Sequence, residues 1–413
     1  MKNSTDKIDK CFGLLLLVIS TFILSPPAKN VFAVTDLPEF YCGAKMLFAG
    51  QIADIYDTNK FFALQKLTFP ALGERGIPLY VAPYGLPFLS PYLLFPPDFA
   101  YLGIKILFLL LFGVSLLIVC RWLNLSSKFQ MRTFAVLPFF GPVWEALRIE
   151  QISTLLFASQ ALFLKLISSE KPVMAAVALS PFLMKPHLAA PILFFSFGAR
   201  KFRFCFAFLA LAALLLLLSL WLGGTASYKS YSDLLSYSMV NLQWMSPEGT
   251  PTLRGQLLRL PFLEQTLATK IGAGVFVLFL FALIFVGRKL KEQYVSGIIL
   301  LALPLGAVLS MHCYSYDLIL LLPGIFFAIS RMAAKPIVKA RLARDFVFLC
   351  LPLLAFTLPF YALIHYCLTL AGSVINYHFF ILFILAIYLA KIAFHCNSET
   401  EKIKSNNQTE QTQ

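Results

Sequence analysis

An all-α polytopic membrane fold is what this sequence predicts, and three observations predict it. The 413-residue chain is 59% hydrophobic and only 13% charged, with a mean hydropathy of +0.79, which leaves too little polar surface to cover a water-soluble globule. Apolar runs recur, among them Phe99 to Cys120, Phe204 to Leu222, Phe346 to Ile364 and Phe379 to Ala393, and a helix needs roughly 20 such residues to cross the hydrocarbon core. The basic residues sit in short clusters between these runs, so the net charge of +14 reads as cytoplasmic loops and not as a nucleic-acid footprint. In lipid every backbone polar group must be bonded internally, and continuous Leu and Phe runs fit helices better than the alternating segments of a barrel.

Residues 1–27 combine a basic start with an apolar stretch and have no small-residue cleavage site before Lys29, so they are expected to remain as the first span. With Lys2, Lys7 and Lys10 inside, the alternation brings Arg121, Lys128 and Arg132 to the same side, then Arg200, Lys201 and Arg203, then Arg288, Lys289 and Lys291, then Arg331 through Arg344. About twelve spans satisfy this pattern, with both termini cytoplasmic. Two of the hairpins, 133–168 and 172–199, are interrupted by Pro138, Pro142, Pro181 and Pro186. One polytopic domain is therefore expected over 1–396, with long outer loops at 29–97 and 223–270. The polar, low-complexity tail 397–413 is expected to be disordered. The eight cysteines form no CxxC pair and read as small buried hydrophobes, without a disulfide among the outer Cys42, Cys313 and Cys367.

Long loops in a compact protein tend to carry function. Both outer loops contain amphipathic helix-like stretches, Leu37 to Gly50 and Tyr228 to Asn241, suited to the membrane surface. Asp36 precedes Pro38 and the first of these, where a carboxylate serves as N-cap. Glu39, one turn later, is either a favourable dipole partner or a group that orients a substrate. Tyr80, Tyr84 and Tyr92 suit an interfacial aromatic belt. The hairpin tips Arg148-Ile-Glu150-Gln151 and Lys185-Pro-His187, and the segment from Ser310 through His312, Tyr316 and Asp317, are expected on the same side as Asp36. A lone Lys at a helix end ordinarily snorkels or caps. Asp317 either anchors the His312 loop or touches substrate. No His/Cys cluster has metal-ligand spacing, so no metal or other cofactor is expected, and nothing in the sequence supports a divalent ion on Asp36.

The order of these pieces resembles the integral membrane glycosyltransferases of family 87, of the GT-C class. The resemblance is carried by Asp36, Tyr41, Ala44, Gly50, Tyr56 and Asp57, by Tyr80 to Pro83, by Gln151 with Ser153, by Lys185-Pro186, and by His312 with Tyr316-Asp317-Leu318 before Pro323. Two departures stand out: the family's usual Gly before the hairpin Gln is Glu150 here, and its Pro-Pro pair is Pro83-Tyr84. The resemblance implies a GT-C bundle in a bacterial cell membrane, with its active site on the extracytoplasmic face. It also implies transfer of a hexose, mannose in the family's usual case, from a polyprenyl-phosphate donor to a hydroxyl of a glycolipid or glycan. On that reading Asp36 is the catalytic base of an inverting displacement. Lys185, His187 and His312 face the donor phosphate, and Glu39, Tyr41, Tyr80, Gln151, Tyr316 and Asp317 contact substrate. The rival class is a lipid-linked-sugar flippase or another multi-pass transporter. It fits less well, because the strongest spans look apolar through their middles and no inverted repeat is visible.

Overall fold

A computed structural model describes residues 35–73, 76–137, 140–241, 250–333, 348, 351–357 and 377–411. The sequence-predicted first span and most of the run from Phe346 to Ile364 lie outside these residues. Among the described residues the regular structure is helical, with no strand.

Two short helices open the described chain, α1 (Leu37–Phe48) and α2 (Thr58–Thr68). Asp57 caps α2, its carboxylate accepting the N–H of Asn59 at 3.0 Å and of Lys60 at 3.3 Å, as expected for a short acceptor beside orphan donors. Pro83, Pro87 and Pro91 hold Pro83–Leu94 in 3-10 turns, because each proline withdraws a donor from the α ladder. Then come α3 (Pro97–Trp122), α4 (Ser127–Val136), α5 (Gly141–Arg148), α6 (Ser153–Ser168), α7 (Pro172–Leu179), α8 (Pro186–Gly198) and α9 (Phe202–Asn241). They are followed by α10 (Leu253–Leu258), α11 (Gln265–Lys289) and α12 (Tyr294–Gly297), which passes through a π turn at Ile298–Ala302 into α13 (Leu303–Leu309). The last described helices are α14 (Leu322–Ala333), α15 (Leu351–Ala355) and α16 (Tyr377–Gln411).

Among the described residues five helices are long and apolar enough to cross a membrane: α3, Phe202–Ser238 of α9, α11, the composite Lys291–Leu309, and Tyr377–His395 of α16. The pair α5 and α6 also passes if counted as one, but its members meet at 116°, so the number rises to six at most. The expected hairpin at 172–199 consists of two apolar helices, each shorter than a full span, Pro172–Met184 and Pro186–Gly198. Pro181 and Pro186 are the cause, since a helix cannot run through them without losing ladder bonds. The expected amphipathic stretch after Leu222 is the distal part of α9, set off from the apolar part by Gly224 at φ 62° and ψ −178°. Glycine adopts that conformation without a Cβ clash. At the other end, α16 runs on to Gln411, across the segment expected to be disordered. The Glu, Lys and Gln residues there are good helix formers.

The chain divides into two compact units. The first holds the described residues up to Pro186, Phe206–Pro247 and Ser315–Ile319. In it α6 packs between α3 and α7, and α1 lies on the Pro83–Leu94 turn. Phe108, Phe112, Leu116 and Phe157 are sealed there, and the rings of Phe112 and Phe157 lie 5.2 Å apart. On α9, Phe206, Leu214, Leu217 and Trp221 are exposed, the surface of a lipid-facing helix.

The second unit holds His187–Cys205, Glu248–Tyr314 and the chain from Leu320 on. Here α8 crosses α11 with backbones nearly touching. A Cβ at Gly198 would fall 2.1 Å from the Ile284 carbonyl oxygen, and one at Gly287 would fall 2.3 Å from that of Phe195. Small residues at such a crossing let dispersion and backbone contact replace the hydrophobic drive that lipid does not supply. Ser196 and Tyr294 hydroxyls meet at 2.6 Å beside the stacked ring of Phe195.

Candidate active site

Asp36 stands immediately before α1, half-buried, in the position of an N-cap. It does not cap. Its φ of −93° and ψ of 4° depart from the extended conformation usual for a cap, and no side-chain cap bond forms. Its backbone N–H donates to the Ile149 carbonyl at 3.1 Å, and a carboxylate oxygen accepts the side-chain amide of Gln151. The N-cap reading is thereby replaced: the residue before α1 is tied to the break between α5 and α6.

Glu39, one turn along α1, is buried. Burial raises its carboxyl pKa well above the ordinary range, the nearby Asp36 carboxylate raises it further, and Lys185 acts in the opposite sense. Glu39 is thus inclined toward the neutral acid, which can donate a hydrogen bond where Asp36 accepts one.

The break that presents Gln151 is itself held by buried charge. Glu150 has φ 52°, an uncommon conformation for a residue with a Cβ. Its carbonyl accepts the Tyr92 hydroxyl at 2.6 Å, and its carboxylate lies 3.1 Å from Lys105 Nζ on α3, both side chains sealed from solvent. Sequence reasoning missed Lys105. Its signal is a lysine inside the apolar run of a predicted span.

A second cluster joins three distant segments. Lys185, at the end of the Ser180–Met184 turn, is 2.5 Å from an Asp317 oxygen and 3.4 Å from Ser153 Oγ. Ser153 donates to the same Asp317 oxygen, and Lys185 Nζ lies 4.8 Å from the Tyr316 ring centroid. Ser315 donates to Glu145 on α5. Lys185 is therefore neither a snorkelling residue nor a lone cation, because Asp317 matches its charge. Asp317 in turn is bonded to Lys185 and Ser153, which ties its segment to α6 and to the end of the Ser180–Met184 turn.

The remaining tyrosines of the prediction are built into the first unit. Tyr41 is buried with its ring edge-on to Phe69 at 5.2 Å. The Tyr80 hydroxyl meets Ser238 Oγ at 2.9 Å, and its carbonyl accepts the Tyr231 hydroxyl at 3.2 Å. The first unit thus brings together Asp36 with Gln151, and Lys185 with Tyr316 and Asp317.

His187 and His312 belong to the second unit. Their rings are edge-on with centroids 6.2 Å apart, and His312 stands 4.6 Å from the ring of Tyr314. Arg254 of α10 reaches this loop, with Nη1 3.4 Å from the Met311 carbonyl.

These features define a polytopic helical membrane protein in which Asp36, Gln151, Lys185 and Asp317 stand at helix breaks and termini, an arrangement suited to chemistry on a polar substrate. A model of glycosyltransferase family 87 matches residues 82–312, more than half of the 413 residues, and the chain belongs to that family. The matched stretch contains Gln151, Lys185, His187 and His312. No curated protein and no solved structure matches the chain. Family membership makes the activity glycosyl transfer, with a sugar donor and an acceptor.

Proposed function

We propose that the protein moves a hexose, mannose by family resemblance, from a polyprenyl-phosphate carrier to a hydroxyl of a glycolipid or glycan on the extracytoplasmic face. The face follows from the basic loops, which mark the opposite side as cytoplasmic. The observation that carries the reading is the Asp36 carboxylate held by the Gln151 amide at the head of an outer helix.

In this reading the acceptor O–H gives its proton to Asp36 as its oxygen bonds to the anomeric carbon. The bond from that carbon to the phosphate oxygen breaks with its electron pair, leaving a polyprenyl phosphate, and the anomeric configuration inverts. No metal or cofactor is needed to balance the step. Glu39, in its neutral form, donates a hydrogen bond to a sugar hydroxyl, and Gln151 orients the base. Donors near the leaving phosphate act on the charge that grows as the bond breaks. Lys185, in the same unit as Asp36 and charge-matched by Asp317, is the candidate for that role.

The test is to incubate purified protein in lipid nanodiscs with a panel of polyprenyl-phosphate sugars and acceptor glycolipids. One donor is expected to support transfer with inverted configuration. Movement of intact lipid-linked sugar across vesicles, with no transfer from any donor, would instead favour the flippase.

A further inference from the structure

Arg254 carries a buried cation that none of the described carboxylates neutralises. It is 4% exposed, and the ion pairs among the described residues leave it out. Nε donates to Thr269 Oγ1 at 3.2 Å and Nη1 to the Met311 carbonyl at 3.4 Å, while Nη2 is buried with no hydrogen-bond partner among the described residues. Arginine cannot escape this cost by shedding its proton, and leaving a buried charge unmatched is strongly destabilising. The side chain is also held in place. Against it α11 passes at Gly272, where a Cβ would fall 3.0 Å from Arg254 Cβ.

We propose that Arg254 is the receptor for a phosphate oxyanion, its buried Nη2 edge, which no described residue satisfies, closing on the ligand beside the loop that carries His312. The planar fork of a guanidinium matches phosphate oxygens and is less strongly hydrated than an ammonium, so it suits a desolvated anion. Nε and Nη1 are engaged by neutral oxygens, which fix the fork without cancelling its charge. His187 and His312, edge-on to one another on the same unit, supply further N–H donors near that loop. That the phosphate is borne by a polyprenol rests on the functional reading above; the anion site itself does not.

The experiment measures binding to the full-length protein in nanodiscs, without sugar, of undecaprenyl phosphate, undecaprenol and inorganic phosphate. The wild type is expected to prefer the phosphate lipid to the alcohol by about 10- to 100-fold, the scale of a charge-assisted hydrogen bond to a desolvated group. R254Q abolishes that preference, and R254K, which keeps charge and loses the fork, falls between. Tight Arg254-dependent binding of inorganic phosphate identifies a free anion as the ligand and still supports the site. Equal wild-type affinity for phosphate lipid and alcohol, with no uptake of inorganic phosphate, overturns the proposal without needing any variant to fold. Wild-type phosphate preference in folded R254Q overturns it equally. Arg254-dependent binding in a protein that transfers no sugar would keep the anion site and discard the transferase donor.

Discussion

The side-chain amide of Gln151 donates to the carboxylate of Asp36 from 115 residues along the chain. The bond fixes one oxygen of the proposed base, and the neighbouring backbone bond from Asp36 N–H to Ile149 O holds the same turn. Gln151→Ala should lower kcat by about 10- to 100-fold, the loss when an orienting bond to a catalytic group is removed, and leave donor KM close to wild type. Steady-state kinetics on the variant checks this; a rise in KM at constant kcat would make Gln151 a substrate ligand instead.

Glu39 makes stability depend on pH. Its folded pKa is raised above that of the unfolded chain, chiefly by burial, so the folded state holds a proton the unfolded state releases. That contribution is fully present below the ordinary carboxylate range and is lost as pH rises from there toward the folded value. Thermal unfolding between about pH 5 and pH 8 should therefore show wild type losing stability relative to Glu39→Gln as pH rises. Parallel curves for the two proteins would place Glu39 in water.

The Lys185 and Asp317 pair is sealed, with side chains 10% and 0% exposed. Removing one partner strands the other, at a typical cost of about 3–5 kcal/mol. Lys185→Met should thus lower the unfolding temperature clearly, and Lys185→Met with Asp317→Leu should recover much of the loss. If the double variant is as unstable as the sum of the singles, the two residues are not energetically paired.

Glu150 sets backbone strain against an ion pair. Glycine would relieve a φ of 52°, a gain of roughly 1 kcal/mol, but would leave Lys105 buried without its carboxylate, at about 3–5 kcal/mol. Glu150→Gly should therefore destabilise the protein, and adding Lys105→Met should rescue it. A Glu150→Gly protein more stable than wild type would show that the pair with Lys105 is worth less than the strain.

Much of the fold was legible because long apolar runs have one solution in lipid: α3, the apolar part of α9, α11 and the start of α16 all fall on runs visible in the sequence. The hairpins were less legible. Proline position shows that a helix breaks at Pro181 or Pro186, but not whether the pieces still cross the membrane. At the candidate site, the residue types could be picked out from their order, whereas their pairings could not. Lys185 and Asp317 are 132 residues apart, and nothing local in either segment names the other. Lys105 escaped notice because a run's average hydropathy hides one charge, and Asp36 looked like a cap because its bond to Gln151 is long-range.

In the proposed transfer Asp36 takes the acceptor proton. Asp36→Asn keeps the shape, removes the base, and should leave folding and donor-lipid binding intact while abolishing sugar transfer, measured as product glycolipid formed from a polyprenyl-phosphate sugar in nanodiscs. Transfer at the wild-type rate by that variant would contradict the account.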